Sequence, residues 1–368
     1  LKQLDEVKLE QLSERTTADR SYLSVFCNRA ADLSALEDQV RKIDKTLAKN
    51  DSGKDEHQHL MENWRNVKQF CKNHPLLNRP FAIIVNWLDD FREVIELPQS
   101  TVARVVLDSS PFIRPLAEQL DDYENSIVVV ADNKKARIHL LTTGVSGDPV
   151  SLTGNIKNHV KKGGWSQQRY ERRRDKELLH YAKEIIAAVQ DLSQTTRVSH
   201  VLLVGGREIL QIVFEQLPGV LQDKAAVSKA SLDKGDKQLH TEIFEMLAQR
   251  ERQSERSNWE RIRTEIHRDG LGVAGIDDVY AAIINANVDT MVVQKSFRKS
   301  GLRCRSCESL QLRQSSFCPE CEGRQLFSVD LANEFNELVV QQGGVVDYVE
   351  DIPTLESAGG IAALLRYK

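Results

Sequence analysis

The chain has 368 residues, 40% of them hydrophobic and 28% charged, and 50 basic side chains against 54 acidic ones leave a formal net charge of −4. That length exceeds one ordinary core and suits two or three domains of a soluble globular protein. No apolar run approaches the ~20 residues of a membrane span, and a surface uniformly coated in positive charge is excluded.

Taken in chain order, LKQLDEVKLEQL is charged, helical in period and unlike a signal peptide. SYLSVFC (21–27) reads as a strand, followed by helical stretches near 34–48 and 55–72 with the short polar break AKNDSGKDEH between them. RPFAIIVNW and FREVIELP read as paired strands. SSPFIRPLAEQLDD then gives a proline-started helix that closes a first α/β domain, residues 1–123.

A second domain, 124–245, opens with SIVVVADNKKARIHLL, a hairpin about Asp132-Asn133-Lys134-Lys135. A Gly/Ser/Asp-rich stretch leads into KKGGWSQQRYERRRD. From Arg172 onward Leu178, Leu179, Ala182, Ile185, Ile186 and Val189 recur at helical spacing. HVLLVGG is a buried strand, again followed by a helix. The charged helix AQRERQSERSNWERIRTEIHRDG bridges to a third domain, 246–368. There GIDDVYAAIINANVD is a helix, TMVVQKS a strand and LANEFNELVVQQGG a helix, before VVDYVED and GGIAALLRY. The expected fold class is therefore three α/β domains, with no internal repeat.

Four of the six cysteines form the knuckles CRSC (Cys304, Cys307) and CPEC (Cys318, Cys321), ten residues apart, while Cys27 and Cys71 stand alone. Such usage is no disulfide framework and points to a reducing cytoplasm. Two knuckles at this spacing can set four thiolates tetrahedrally around Zn²⁺. With no histidine and no open position, the expected site is structural, holding a ribbon at 302–324. Pro319 and the flanking Arg and Ser residues suit tight knuckle turns.

Gly163-Gly164 frees the backbone for close approach to a partner. Lys161 and Lys162 precede it, Trp165 follows, and Ser166 is read as the N-cap of an arginine helix. Arg169, Arg172 and Arg173 then fall three or four residues apart, on one side. Guanidiniums that contact phosphates behind an aromatic able to stack on a base describe an element that enters RNA. The plain alternative is a turn leading into a solvated arginine face.

On these residues the chain resembles the archaeal and eukaryotic class I peptide release factors, whose central-domain loop reads GGQSAxRFxRxR where this chain has GGWSQQRYERRRD. GLGVAGIDDVYAAIINANVDTMVV, the inserted CxxC…CxxC ribbon and GGIAALLRYK resemble their third domain, and SIVVVADNKKARIHLL the opening of their second. The first domain resembles theirs loosely. The resemblance extends to Pelota, to Vms1-like rescue factors and to bacterial relatives such as Balon-type ribosome hibernation factors. It implies a ribosomal A-site and rRNA partner, contact with tRNA, and a translational GTPase such as elongation factor Tu on the central and C-terminal domains.

Two departures limit the carry-over. The family's glutamine after Gly-Gly, which positions water against the peptidyl-tRNA ester, is Trp165 here, with Gln167 and Gln168 close by as displaced substitutes in a flexible loop. The stop-codon motif NIKS between the first two helices is replaced by AKNDSGKDEH. Three functions follow: a non-catalytic A-site factor of hibernation or stalled ribosomes, a peptidyl-tRNA hydrolase using Gln167 or Gln168, and a tRNA or small-RNA binder off the ribosome.

Overall fold

A computed structural model describes residues 2–48, 53–74, 79–122, 125–142, 145–146, 150–153, 165–196, 198–228, 236–350 and 352–368. The chain divides into two compact units, Leu1–Asp122 with Arg252–Lys368 and, between these in sequence, Tyr123–Glu251.

The first segment does not begin with one helix. Lys2–Gln3 is a short strand (β1), Leu4–Glu6 a 3-10 turn and Leu9–Ser13 a helix (α1) of five residues. Leu4 and Leu12 are buried against Ile95, Phe112 and Leu116, so the apolar positions that mimic a helical period anchor two separate turns. Sheet pairing of Lys2 and Gln3 with Ile95 and Glu96 supplies the backbone partners that a continuous helix would have supplied. The remaining elements are β2 (Tyr22–Cys27), α2 (Glu37–Leu47), α3 (Gly53–Asn73), β3 (Phe81–Asn86), β4 (Phe91–Glu96), β5 (Arg104–Asp108) and α4 (Arg114–Asp122). Among the described residues they build a five-stranded sheet in the order β1-β4-β3-β2-β5.

Because side chains alternate along a strand, β2 and β3 feed two cores. Leu23, Val25, Ile83 and Val85 pack with Leu60, Trp64 and Val67 of α3. Tyr22, Phe26, Ala82 and Ile84 pack with Phe112 and Leu116. The edge strand β5, from ARVVLD, is absent from the sequence reading; its pattern is carried by only Val105 and Leu107 on the buried face.

The second unit is built from β6 (Ser126–Ala131), β7 (Lys135–Thr142), β8 (Val145–Ser146), β9 (Val150–Thr153), α5 (Trp165–Thr195), β10 (His200–Gly205), α6 (Arg207–Gln216), α7 (Gly219–Gln222) and β11 (Ala225–Ser228). β6 and β7 form the expected hairpin, whose turn is fixed by Asp132 Oδ1 accepting from the amides of Lys134 and Lys135 at 2.7 and 2.8 Å. β10 lies parallel to both β6 and β11. α5 packs on this sheet through Leu178, Tyr181, Ala182, Ile185, Ile186 and Val189. Leu179 is exposed and Tyr181 takes the core position instead, since i, i+3, i+4 and i+7 from Leu178 select 181 rather than 179.

α8 (Asp236–His267) carries the division between the units. It is followed by β12 (Gly272–Ala274), α9 (Ile276–Ile284), β13 (Val288–Gln294), β14 (Ser300–Cys304), β15 (Leu310–Gln311), β16 (Leu326–Asp330), α10 (Leu331–Gln341), β17 (Val345–Val349), α11 (Pro353–Ser357) and β18 (Ile361–Leu365). Among the described residues a four-stranded sheet runs β12-β18-β13-β17, and a separate three-stranded ribbon runs β15-β14-β16. Gly301 makes the ribbon's seat possible, because a Cβ there would lie 2.6 Å from the Gln311 carbonyl oxygen.

The first and last segments form one unit because they share interior. Ala117 of α4 belongs to the C-terminal core, and α10 turns a buried polar face to the N-terminal segment. Asn333 Oδ1 accepts from the amides of Ile113 and Arg114, at 2.9 and 3.0 Å, as α4 begins. Ser110 Oγ donates to Glu337 at 2.9 Å. The buried Arg114 guanidinium donates to the Phe297 and Lys295 carbonyls at 2.9 and 3.2 Å.

Burial raises the Glu334 carboxyl from its ordinary value of 4.5 to about 8, against the pull of Arg303 and with Asp108 and Asp330 adding to the rise. A carboxyl raised by folding stabilises the fold fully below its unfolded value and loses that contribution as pH climbs through its folded value. Unit 1 should therefore lose stability between about pH 4.5 and 8 through this group. Glu334→Gln should flatten that dependence, measured as melting temperature against pH.

Candidate functional site

The two knuckles fold alike. Glu308 N donates to Cys304 O and Glu322 N to Cys318 O, both at 2.8 Å, and Glu308 and Glu322 both take left-handed backbone, with φ of 59° and 57°. Left-handed backbone after each second cysteine turns both pairs of thiols inward. All four Sγ atoms lie within 4.8 Å of one another, with Cys304–Cys321 and Cys307–Cys318 each at 3.5 Å. Tetrahedral Zn–S bonds of about 2.3 Å place sulfurs about 3.8 Å apart, so the donor set fits such an ion.

The local electrostatics agree with that fit. The Ser309 hydroxyl, 3.1 Å from Cys318 Sγ, holds this thiol down to about 6. The Gly323 amide lowers Cys321, but the Cys307 and Cys304 thiols outweigh it and push Cys321 to about 12. Thiols this crowded cannot all ionise unless a cation lies among them. Gly323 keeps the second knuckle tight, since a Cβ there would lie 3.2 Å from Cys321 Sγ.

Left-handed backbone at a residue with a Cβ costs roughly 1–2 kcal/mol, partly offset by the greater unfolded freedom of glycine. Glu322→Gly should thus stabilise the ribbon by up to about 1 kcal/mol, read as slower metal release to a chelator.

The arginines beside Cys304 do more than suit a turn. Arg303 lies 3.5 Å from Glu334 and 3.3 Å from Ser109 Oγ. Arg305 donates to Asp19 at 2.7 Å and also to Glu56. Their role is not visible in the sequence, because Ser109, Glu56 and Asp19 lie 194 to 286 residues away.

The second candidate region begins α5. Lys161, Lys162, Gly163 and Gly164 lie outside the described residues, and for Trp165, Ser166, Gln167, Gln168 and Arg169 only the helical backbone is described. α5 starts at Trp165, so Ser166 sits inside the first turn and is not the N-cap, and Gln167 and Gln168 are helical residues rather than members of a loop. Helical geometry places Arg169, Arg172 and Arg173 on one side, as the sequence requires.

Arg172 and Arg173 are exposed, and Arg173 pairs with Glu177 at 3.1 Å, a surface contact that holds it weakly. Arg174 is different: half-buried, it pairs with Glu208, which also accepts from Asn133 Nδ2 at 3.2 Å. One guanidinium of the run therefore fastens α5 to its own unit while its neighbours face outward.

Residues 111–252 match the model of bacterial archaeo-eukaryotic release factor family 10. Peptide chain release factor subunit 1 of Methanococcoides burtonii is 24% identical over 305 residues, spanning 74% of this chain and 73% of the relative. Its counterpart in Archaeoglobus fulgidus is 25% identical over 305 residues, spanning 75% and 74%. Among solved structures, S. cerevisiae Dom34, described as a translation termination-like factor in RNA quality control that interacts with Hbs1, is 11% identical over 79% of this chain and 74% of its own, with a TM-score of 0.44.

About three quarters of the chain is thus similar to archaeal peptide chain release factor subunit 1. Its residues 111–252 are similar to the bacterial branch of the archaeo-eukaryotic release factors. Among the described residues no helix is long and apolar enough to cross a membrane.

Proposed function

We propose that this protein binds the ribosomal A site as a hibernation or stalled-ribosome factor and does not hydrolyse peptidyl-tRNA. Its Gly163-Gly164 tip is directed toward the peptidyl-transferase centre, and α5 holds rRNA phosphates through Arg169, Arg172 and Arg173. The observation that carries the reading is Trp165, which stands at the position of the family's water-orienting glutamine. An indole can stack on a base but cannot orient a nucleophile through an amide. The break between α2 and α3, with no NIKS motif, supports a role that reads no stop codon.

In this reading the four cysteines hold one structural Zn²⁺, and the protein works in the cytoplasm. A translational GTPase, elongation factor Tu in a bacterium, docks on the central and C-terminal segments.

Co-sedimentation with ribosomes at low and moderate salt tests the placement; a protein that binds tRNA but never pellets with ribosomes would show an RNA binder acting elsewhere. Release of labelled peptide from ribosomal complexes without puromycin tests the chemistry. Gln167 and Gln168 in the first turn of α5 keep the hydrolase as the second reading. It would prevail if release were seen and then lost in Gln167→Ala or Gln168→Ala. A displacement of about one ångström can cost ~100-fold in rate, which weighs against a relocated glutamine.

A further inference from the structure

We propose that metal loading of the two knuckles controls the docking of the N-terminal segment, with Arg305 as the latch. This rests on the four cysteines holding a metal. Arg305 is one of two residues between the ligands Cys304 and Cys307. Its guanidinium leaves the ribbon and enters a buried ionic cluster of the first segment. There it contacts Asp19 and Glu56, while Arg20 donates to Glu56 from Nε at 2.9 Å and from Nη2 at 2.7 Å.

The Glu56 side chain is 1% exposed, and those of Arg20 and Arg305 are each 14% exposed. Both guanidiniums also lie over the ring of Phe327 in β16, at 5.4 and 6.0 Å. A carboxylate this deep is tolerated only while its counter-charges stay in place, and removing one partner costs far more than forming the pair gains. Arg305 is kept in place by a turn that has few supports besides the thiols: Arg305 N to Gln325 O at 2.9 Å, Cys304 N to Ser309 O at 3.0 Å, and Glu308 N to Cys304 O at 2.8 Å.

Four thiolates around one ion fix that turn, and with it the reach of Arg305. Without the ion the thiols no longer converge, the turn loosens, and Glu56 keeps Arg20 alone. The corner formed by residues 16–21 and the start of α3 then lifts from the ribbon. The metal thereby acts on the first segment from 249 residues away in sequence.

Trypsin cleavage after Arg20, followed by mass spectrometry on the full chain, reads the latch, because Arg20 is nearly enclosed and tied to Glu56 when docked. The metal-loaded protein should resist cleavage there. Stripping with a zinc chelator should speed it at least tenfold. Arg305→Ala and Glu56→Gln should do the same while retaining one equivalent of metal.

Bound metal whose removal opens only sites in residues 302–324, with Arg20 unchanged, would overturn the latch and leave the metal assignment standing. A metal-loaded Arg305→Ala protein with native resistance at Arg20 would overturn it as well. Purified protein with no metal would overturn both statements.

Discussion

Replacing Arg169, Arg172 and Arg173 together by alanine should weaken ribosome binding by about 10- to 100-fold and flatten its salt dependence. Each phosphate that an arginine no longer neutralises lowers the slope of log affinity against log salt by roughly 0.7–0.9, so three arginines account for roughly 2–3. The effect should be large because α5 presents Arg172 and Arg173 to solvent, and Arg173 is held by a surface pair with Glu177 of its own helix. Arg174→Ala supplies the contrast. It frees Glu208 within the same unit and should lower melting temperature while leaving the salt slope nearly intact. Sedimentation at several salt concentrations checks both. Equal slopes for the triple variant and the parent protein would reduce the basic helix to a solvated face.

The second large effect is expected at the knuckles. Cys304→Ser should abolish stoichiometric metal binding, because serine is a poor zinc ligand and the other three sulfurs are placed for a closed tetrahedral shell. Structural zinc contributes about 10–16 kcal/mol of binding free energy in small zinc-finger peptides, so losing one thiolate there removes a large part of the ribbon's stability. β14, which carries Cys304, pairs with both β15 and β16, so the loss should spread across the ribbon and to the corner that Arg305 holds at Asp19 and Glu56, leaving the four-stranded sheet folded. Metal analysis of the purified variant decides it, with circular dichroism to show that the rest stays folded. A variant that keeps one full equivalent of metal would refute the four-thiolate set.

Local signals are legible wherever a single stretch of chain decides the structure. The hairpin at Asp132 follows from an aspartate that caps its own turn, and the cysteine pairs follow from spacing alone. Signals that depend on distant partners are not legible. The N-terminal period of Leu4, Leu9 and Leu12 suggests one helix, yet an edge strand and two short turns satisfy the same leucines against the sheet. Leu178-Leu179 offers two adjacent apolar residues, and only the sheet beneath selects Leu178 and Tyr181.

The run Arg172-Arg173-Arg174 likewise looks uniform until Glu208 singles out the third. Three segments of α/β pattern are visible in the sequence, but not that the first and last share Asn333, Glu337 and Arg114 as common interior.

That nesting has a consequence for how the chain matures as it leaves the ribosome that makes it. The central unit is contiguous and can complete itself early, whereas the first sheet must wait, its polar seam uncovered, until α10 has been translated. β18 arrives later still, yet it occupies an inner place between β12 and β13. A nascent chain halted before Ile361 would therefore lack an inner strand rather than an edge, and such truncated products should be quickly cleared by proteases.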